Sequence, residues 1–247
     1  MASIKVELGG KGVGLADQAF IEPAKGCANK CVGCYAAKTT RMGSRFSTVE
    51  LKEYDHDVFS KSCRAARKKG IRFVRMAKHT DPGIASLRGR VIQILRAAQL
   101  EGLQIVFVTK SLEFDPEVVS AMRDGNHILH ISLGMITEGD DVPMSHVRLT
   151  TGLEYASAGV NTKWRIIDDV TKKLYSGWRL VPVNSAIITP MRFPSMDTLK
   201  QYNADPENYE FIGGYYRPKF IHQDWNIFNP WCGEVGSDVK CCNCLVR

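Results

Sequence analysis

Apolar residues recur along this chain at two spacings that take turns. "IRFVRMA" at 71–77, "LQIVFVTK" at 103–110, "HILHISLG" at 127–134 and "NTKWRIID" at 161–168 are short, apolar and rich in β-branched residues. Strands buried on both faces of a parallel sheet have this character. "DQAFIEP" at 17–23 and "NSAIITP" at 184–190 extend the series at its two ends. Between these runs lie stretches with helical periodicity. Residues 47–69 run from Ser47, a candidate N-cap with Glu50 three residues on, to a stop at Gly70. Residues 86–102 end at Gly102, and 144–159 end at Gly159. Residues 115–125 open on Asp115 as N-cap, with Pro116 in the first helical position. Strands that alternate with helices predict right-handed crossovers and a parallel sheet. About six such units are too few for a closed eight-fold barrel, so the expected fold is α/β, a partial (β/α)6 TIM-type barrel. It is expected to fill residues 1–204. From about Asp205 the pattern breaks, and 205–247 is expected to be an irregular Cys-rich C-terminal extension packed on the barrel.

Composition narrows the setting. The 247 residues are 44% hydrophobic, enough for a sizeable core. No apolar run has the length of a membrane span or a signal peptide, so the reading is a cytoplasmic chain with no membrane partner. Lys and Arg outnumber Asp and Glu by 33 to 26, which favours anionic partners such as nucleic acid. The densest basic stretch, Arg64 to Arg75, reads as a solvated helix end running into a strand or as a nucleic-acid contact.

The eight cysteines are more informative. Cys63 stands alone in a helical stretch and reads as a small buried apolar residue. The others cluster at the two ends, and in a reducing compartment such clusters read as metal ligands. Cys27, Cys31 and Cys34 lie in "CANKCVGCY", directly after the first predicted strand. Three thiolates can cap three corners of a cubane iron–sulfur cluster and leave one iron open. A zinc site completed by a distant Cys or His is the alternative.

The Cys-x3-Cys-x2-Cys loop resembles the hallmark of radical S-adenosylmethionine enzymes. That resemblance implies a [4Fe-4S] cluster on Cys27, Cys31 and Cys34, with the methionine part of S-adenosylmethionine on the open iron. Reductive cleavage of the sulfonium would then give a 5′-deoxyadenosyl radical, with a flavodoxin or ferredoxin as electron donor. Many members carry an aromatic residue before the third Cys, where this chain has Gly33; the backbone there would still help hold the adenine, and Tyr35 follows.

The strand-end motifs "RMAKHTDPG", "IVFVTKSLEFDPEVVSAM", "ILHISLG" and "RLTTGLEYASAGV" are similar, in order and spacing, to the spore photoproduct lyase-like branch, over about residues 18–170. The similarity implies roles at successive strand ends. Thr80 and Asp81 would receive the S-adenosylmethionine ammonium, although "TDPG" is also a good turn in any protein. Lys110, beside Ser111, would pair with its carboxylate, or stand solvated. Ser132 would bond a ribose hydroxyl, and Arg165, Asp168 and Asp169 would either line the substrate pocket or form an ion pair. In true spore photoproduct lyases a Cys before the Thr-Asp pair returns a hydrogen atom; here it is His79, a poor hydrogen-atom donor. Dimer repair is therefore not expected, and a rearrangement that quenches its radical internally fits.

Cys232, Cys241, Cys242 and Cys244 match no standard zinc-ribbon spacing. They are read as ligands of a second metal, either zinc or an auxiliary iron–sulfur cluster, or as a partly ligating tail in which one Cys does chemistry. His222 is a spare ligand candidate or a structural residue. The expected function is hydrogen abstraction from a nucleic-acid base or nucleoside, as in DNA base modification or rearrangement of a phage type. The alternatives are a radical enzyme acting on a peptide or amino-acid derivative, and a zinc-stapled nucleic-acid-binding protein without catalysis.

Overall fold

The structure, a computed structural model, describes residues 3–9, 19–29, 31, 36, 42–134 and 142–228. Its centre is a seven-stranded sheet. In spatial order the strands are β1 (Val6–Leu8), β2 (Ala19–Ile21), β5 (Phe73–Met76), β6 (Gln104–Thr109), β7 (Ile128–Leu133), β8 (Asn161–Asp168) and β9 (Ala186–Pro190). β1 runs antiparallel to β2, and every later neighbour is parallel. The fold is thus mixed α/β around a mostly parallel sheet flanked by helices.

After β2 each parallel strand is added on the same side of the one before. Right-handed crossovers repeated in one direction put every connecting helix on one face of the sheet. Helices α1 (His56–Lys68), α2 (Arg88–Leu100), α3 (Pro116–Asp124) and α4 (Val142–Ser157) accordingly share one core with alternate strand residues. Phe59 and Cys63 of α1, Leu95 of α2 and Met122 of α3 pack there with Met76, Phe107, Ile131, Trp164 and Ile188. The remaining strand positions, Arg75, Val106, His130, Ser132, Lys163, Arg165 and Ile187 among them, point to the other face.

Local chemistry sets the helix starts. Asp115 accepts from the backbone N–H of Glu117 at 2.9 Å and of Val118 at 3.1 Å, so its role as N-cap ahead of Pro116 is as expected. The start expected at Ser47 is corrected. α1 begins only after Asp55, which accepts from Val58 N at 3.0 Å. Residues Glu50–Leu51 (β4) instead pair antiparallel with Ala24–Lys25 (β3), and that pairing takes the backbone groups a first helical turn would need.

The region after Asp205 is also more regular than its composition suggests. β10 (Tyr209–Ile212) and β11 (Tyr215–Pro218) form a hairpin. Gly213 (φ 60°) and Gly214 (φ 84°) make its two-residue turn, in the left-handed conformation such turns demand. The hairpin closes over a second small core in which Tyr209 joins Met191, Phe193 and Leu199, the last from the short helix α5 (Met196–Gln201). A boundary at 204/205 therefore falls inside one packed cluster. Trp225 and Phe228 reach into the main core, and the Trp225 indole donates to the Lys172 carbonyl at 2.9 Å. Among the described residues, no helix is long and apolar enough to cross a membrane.

Candidate functional site

The loop after β2 approaches the carboxyl ends of the neighbouring parallel strands, where chemistry collects in such sheets. Cys27 and Cys31 lie on it, both half-buried. Cys34, Gly33 and Tyr35 lie outside the described residues, as do Cys232, Cys241, Cys242 and Cys244. Two bonds pin the base of the loop. The Thr80 hydroxyl donates to the Gly26 carbonyl, and Cys27 N donates to the Phe46 carbonyl at 2.7 Å. Gly26 has φ +77°, and a Cβ there would press on the carbonyls of Thr48 and Phe46.

Asp81 is the hub of the site, and its part differs from the one expected. It is only 6% exposed. One carboxylate oxygen accepts from Gly83 N at 2.8 Å and from the Thr109 hydroxyl at 2.5 Å; the other accepts from Lys110 N at 2.8 Å and from the Asn29 amide at 2.5 Å. Four protein donors thus occupy the carboxylate that the resemblance would assign to a ligand ammonium. Asp81 ties the end of β5 to the end of β6 and to the cysteine loop. The Ser111 hydroxyl completes the tie by donating to the Asn29 carbonyl oxygen at 2.6 Å.

Lys110 and Ser132 stand where expected, at the ends of β6 and β7, and both are buried. The Lys110 carbonyl accepts from Arg148 Nε, on α4, at 2.9 Å. Arg165 and Asp168 share β8 but face opposite sides of it. Arg165 donates to the Thr189 hydroxyl at 3.2 Å, while Asp168 accepts from the Trp178 indole at 2.7 Å, among the helix-side core. Burial raises the Asp168 carboxyl. Asp169 is structural: it accepts from the hydroxyls of Thr171 at 2.7 Å and Tyr209 at 2.6 Å and so anchors the C-terminal hairpin.

Glu22, only 4% exposed, went unnoticed in the sequence. One of its oxygens accepts from the backbone N–H of Lys78 and of His79, the latter at 2.7 Å. Its other oxygen is buried with no hydrogen-bond partner. Burial pushes its carboxyl up to about 7. Burial likewise lowers His79, whose Nδ1 lies 3.7 Å from Glu22, so burial works against charge on both partners. The sequence signals for this pair are weak: one acid just past a strand and one His beside a turn.

Two candidates resolve as structural. Cys63 is fully buried, and its thiol is pushed up to about 12 by that burial. His222 caps the short turn Gln223–Ile227, accepting from Asp224 N at 3.3 Å. A shallow recess between α2 and α3, walled by Val91, Phe107, Leu112 and Val118, lies on the helix side of β6, and neither Cys27 nor Cys31 lines it.

Among the described residues, no group of three or more Cys, His, Asp or Glu is gathered to hold a metal. Cys27 and Cys31 are soft donors on one bonded loop, a donor type that suits iron or zinc. Fold and site together define a coarse class: an α/β protein with a mostly parallel sheet and a cysteine loop bonded to its strand ends. Compared with known proteins, the chain matches no protein-family model and no curated protein.

Proposed function

We propose that this chain is a radical S-adenosylmethionine enzyme on a partial (β/α)6 barrel, acting on a nucleic-acid base or nucleoside in the cytoplasm. The observation that carries this reading is the clamp on the cysteine loop. Thr80 bonds Gly26, and Asp81 and Ser111 bond Asn29, so the segment bearing Cys27 and Cys31 is tied to the ends of two adjacent parallel strands. A zinc staple needs no such tie to a row of strand ends. The single direction of strand addition, with all crossover helices on one face, is the winding from which a partial barrel is made.

A [4Fe-4S] cluster on Cys27, Cys31 and Cys34 would supply the electron that cleaves bound S-adenosylmethionine, refilled by a small electron-transfer protein such as a flavodoxin or ferredoxin. The chain's residues do the rest. Asn29, Thr80 and Asp81 hold the loop in register with the strands. Lys110 can meet a carboxylate at the end of β6, and Ser132 a hydroxyl at the end of β7. His79 stands where a relative would carry a hydrogen-donating thiol, which favours a rearrangement that quenches its own radical. A second metal on Cys232, Cys241, Cys242 and Cys244 belongs to the same proposal.

The test is anaerobic reconstitution with iron and sulfide, followed by reduction in the presence of S-adenosylmethionine and of nucleosides, DNA or peptides. A brown protein absorbing near 400 nm that forms 5′-deoxyadenosine supports the reading, and Cys31→Ala should abolish it. Colourless protein that retains only zinc would favour the non-catalytic binding module. Turnover of peptides alone would move the substrate to the peptide class.

A further inference from the structure

We propose that the outer side of α1 and the residues leading into β5 hold the phosphate backbone of duplex DNA, through Lys61, Lys68, Lys69 and Arg72. The substrate is then a base within a polymer, not a free nucleoside. The choice of partner rests on the function proposed above; the charge and exposure of the surface do not.

The stretch from His56 to Arg72 sets Lys61, Arg64, Arg67, Lys68, Lys69 and Arg72 against one carboxylate, Asp57. Six cations less one anion place +5 of the chain's net +7 here. All six cations are exposed. α1 turns Phe59, Cys63 and Ala66 into the core, so helical spacing puts Lys61, Arg64 and Lys68 along the opposite side. Lys69 and Arg72 continue the row past the helix end. At 1.5 Å per residue, Lys61 to Lys68 spans about 10 Å, a length over which one DNA strand presents about three phosphates. Asp57 lies in the first turn, where the helix N-terminus favours a carboxylate.

Lys61, Lys68, Lys69 and Arg72 make no side-chain hydrogen bond or ion pair among the described residues. Arg64 and Arg67 are committed: Arg64 bonds the Glu101 carboxylate at 2.7 Å, and Arg67 donates to the Glu101 carbonyl at 3.2 Å. Glu101 is neutralised in this way, and the other four cations stay uncompensated. The neighbouring helices differ, for Arg88 pairs with Asp115 and Glu117, and Arg123 with Asp124. The helix dipole favours cations in the last turn of α1, where Arg67 and Lys68 lie. It reaches neither Lys61, two turns earlier, nor Arg72 beyond the helix. No Phe, Tyr or Trp is exposed on this stretch, so unpaired bases have nothing to stack on, and a duplex is favoured over a single strand. The exposed large apolar side chains on α1 and α2 are Val58 and Leu100, in the first turn of one and the last turn of the other. They form no continuous apolar face for a lipid surface. α1 follows closely on β4, which pairs with Ala24–Lys25 at the base of the cysteine loop, so a duplex lying along α1 is led toward the strand ends.

The test is fluorescence anisotropy of a labelled DNA duplex of about 20 base pairs, titrated with the full chain as purified and after anaerobic reconstitution, between about 50 and 200 mM salt. Four phosphate contacts should make the affinity fall about 100-fold across that range. Lys61→Gln, Lys68→Gln, Lys69→Gln and Arg72→Gln should each flatten the slope of log affinity against log salt by about 0.9, and the quadruple variant should bind at least about 100-fold more weakly at the lowest salt. These side chains are exposed, so the variants should keep the native circular dichroism. Lys173→Gln, at an exposed cation beyond β8, should change neither affinity nor slope. An unchanged slope in the quadruple variant overturns the proposal. So does tighter binding of a single strand of the same length, or equal binding of phosphatidylcholine vesicles containing phosphatidylserine. Because the readout needs neither S-adenosylmethionine nor turnover, duplex binding without 5′-deoxyadenosine formation would sink the radical chemistry alone. Radical chemistry on free nucleosides without duplex binding would sink this surface alone.

Discussion

Asn29 and Ser111 are 82 residues apart in the chain and are joined side chain to side chain, the Ser111 hydroxyl donating to the Asn29 carbonyl oxygen at 2.6 Å. The amide of the same Asn29 donates to Asp81 at 2.5 Å. One residue of the cysteine loop thus reads the ends of two strands at once. Asp81→Ala strands the donors of Thr109, Lys110, Gly83 and Asn29 together and should cost about 3 kcal/mol or more in urea unfolding. Asn29→Ala removes only the loop's share; it should cost about 1 kcal/mol and lower the iron retained after reconstitution.

Gly26→Ala meets both a left-handed backbone and the carbonyls of Phe46 and Thr48. The expected loss is about 2 kcal/mol or more, with a loop that no longer closes on Thr80. Thermal unfolding and iron content should fall together.

Glu22 makes stability depend on pH with a definite sign. Its carboxyl moves from 4.5 to about 7 on folding, so the folded chain holds the proton more tightly. Its contribution is complete below pH 4.5 and is lost as the pH rises through about 7, by at most about 3 kcal/mol. Glu22→Gln should flatten the curve of unfolding free energy across that window; an unchanged slope would assign the dependence to another group.

Cys63→Ala should cost about 1–2 kcal/mol from a fully packed site and leave iron content untouched. Cys31→Ala should do the opposite, with little change in stability of the metal-free chain and loss of the iron. Iron analysis of the two variants side by side separates the structural thiol from the ligand.

Trp225→Ala removes a buried indole and its bond to the Lys172 carbonyl. It should destabilise the chain by about 3–5 kcal/mol, with the C-terminal segment the first to be cut in limited proteolysis.

Where local chemistry is self-sufficient, the sequence was enough. The strand at 161–168 has the bounds expected from its apolar pattern, and Asp115 with Pro116 starts α3 as expected. Ser47 and Glu50 carry an equally good local signal but start nothing, because the distant segment Ala24–Lys25 competes for the same backbone. The Gly213–Gly214 turn was legible in principle, as a two-glycine joint between apolar runs, and was obscured by the aromatic residues around it.

By itself the sequence determined the alternation of strands and helices, the cysteine spacing and the sign of the charge, since each depends on residues close in the chain. The use of Asp81 was decided only in three dimensions. Its four donors come from Asn29, Gly83, Thr109 and Lys110, and what a carboxylate can still bind depends on which donors already hold it. The common face of Arg75, His130, Lys163 and Arg165 was decided the same way. Parallel pairing of strands far apart in the chain is what turns them onto one face.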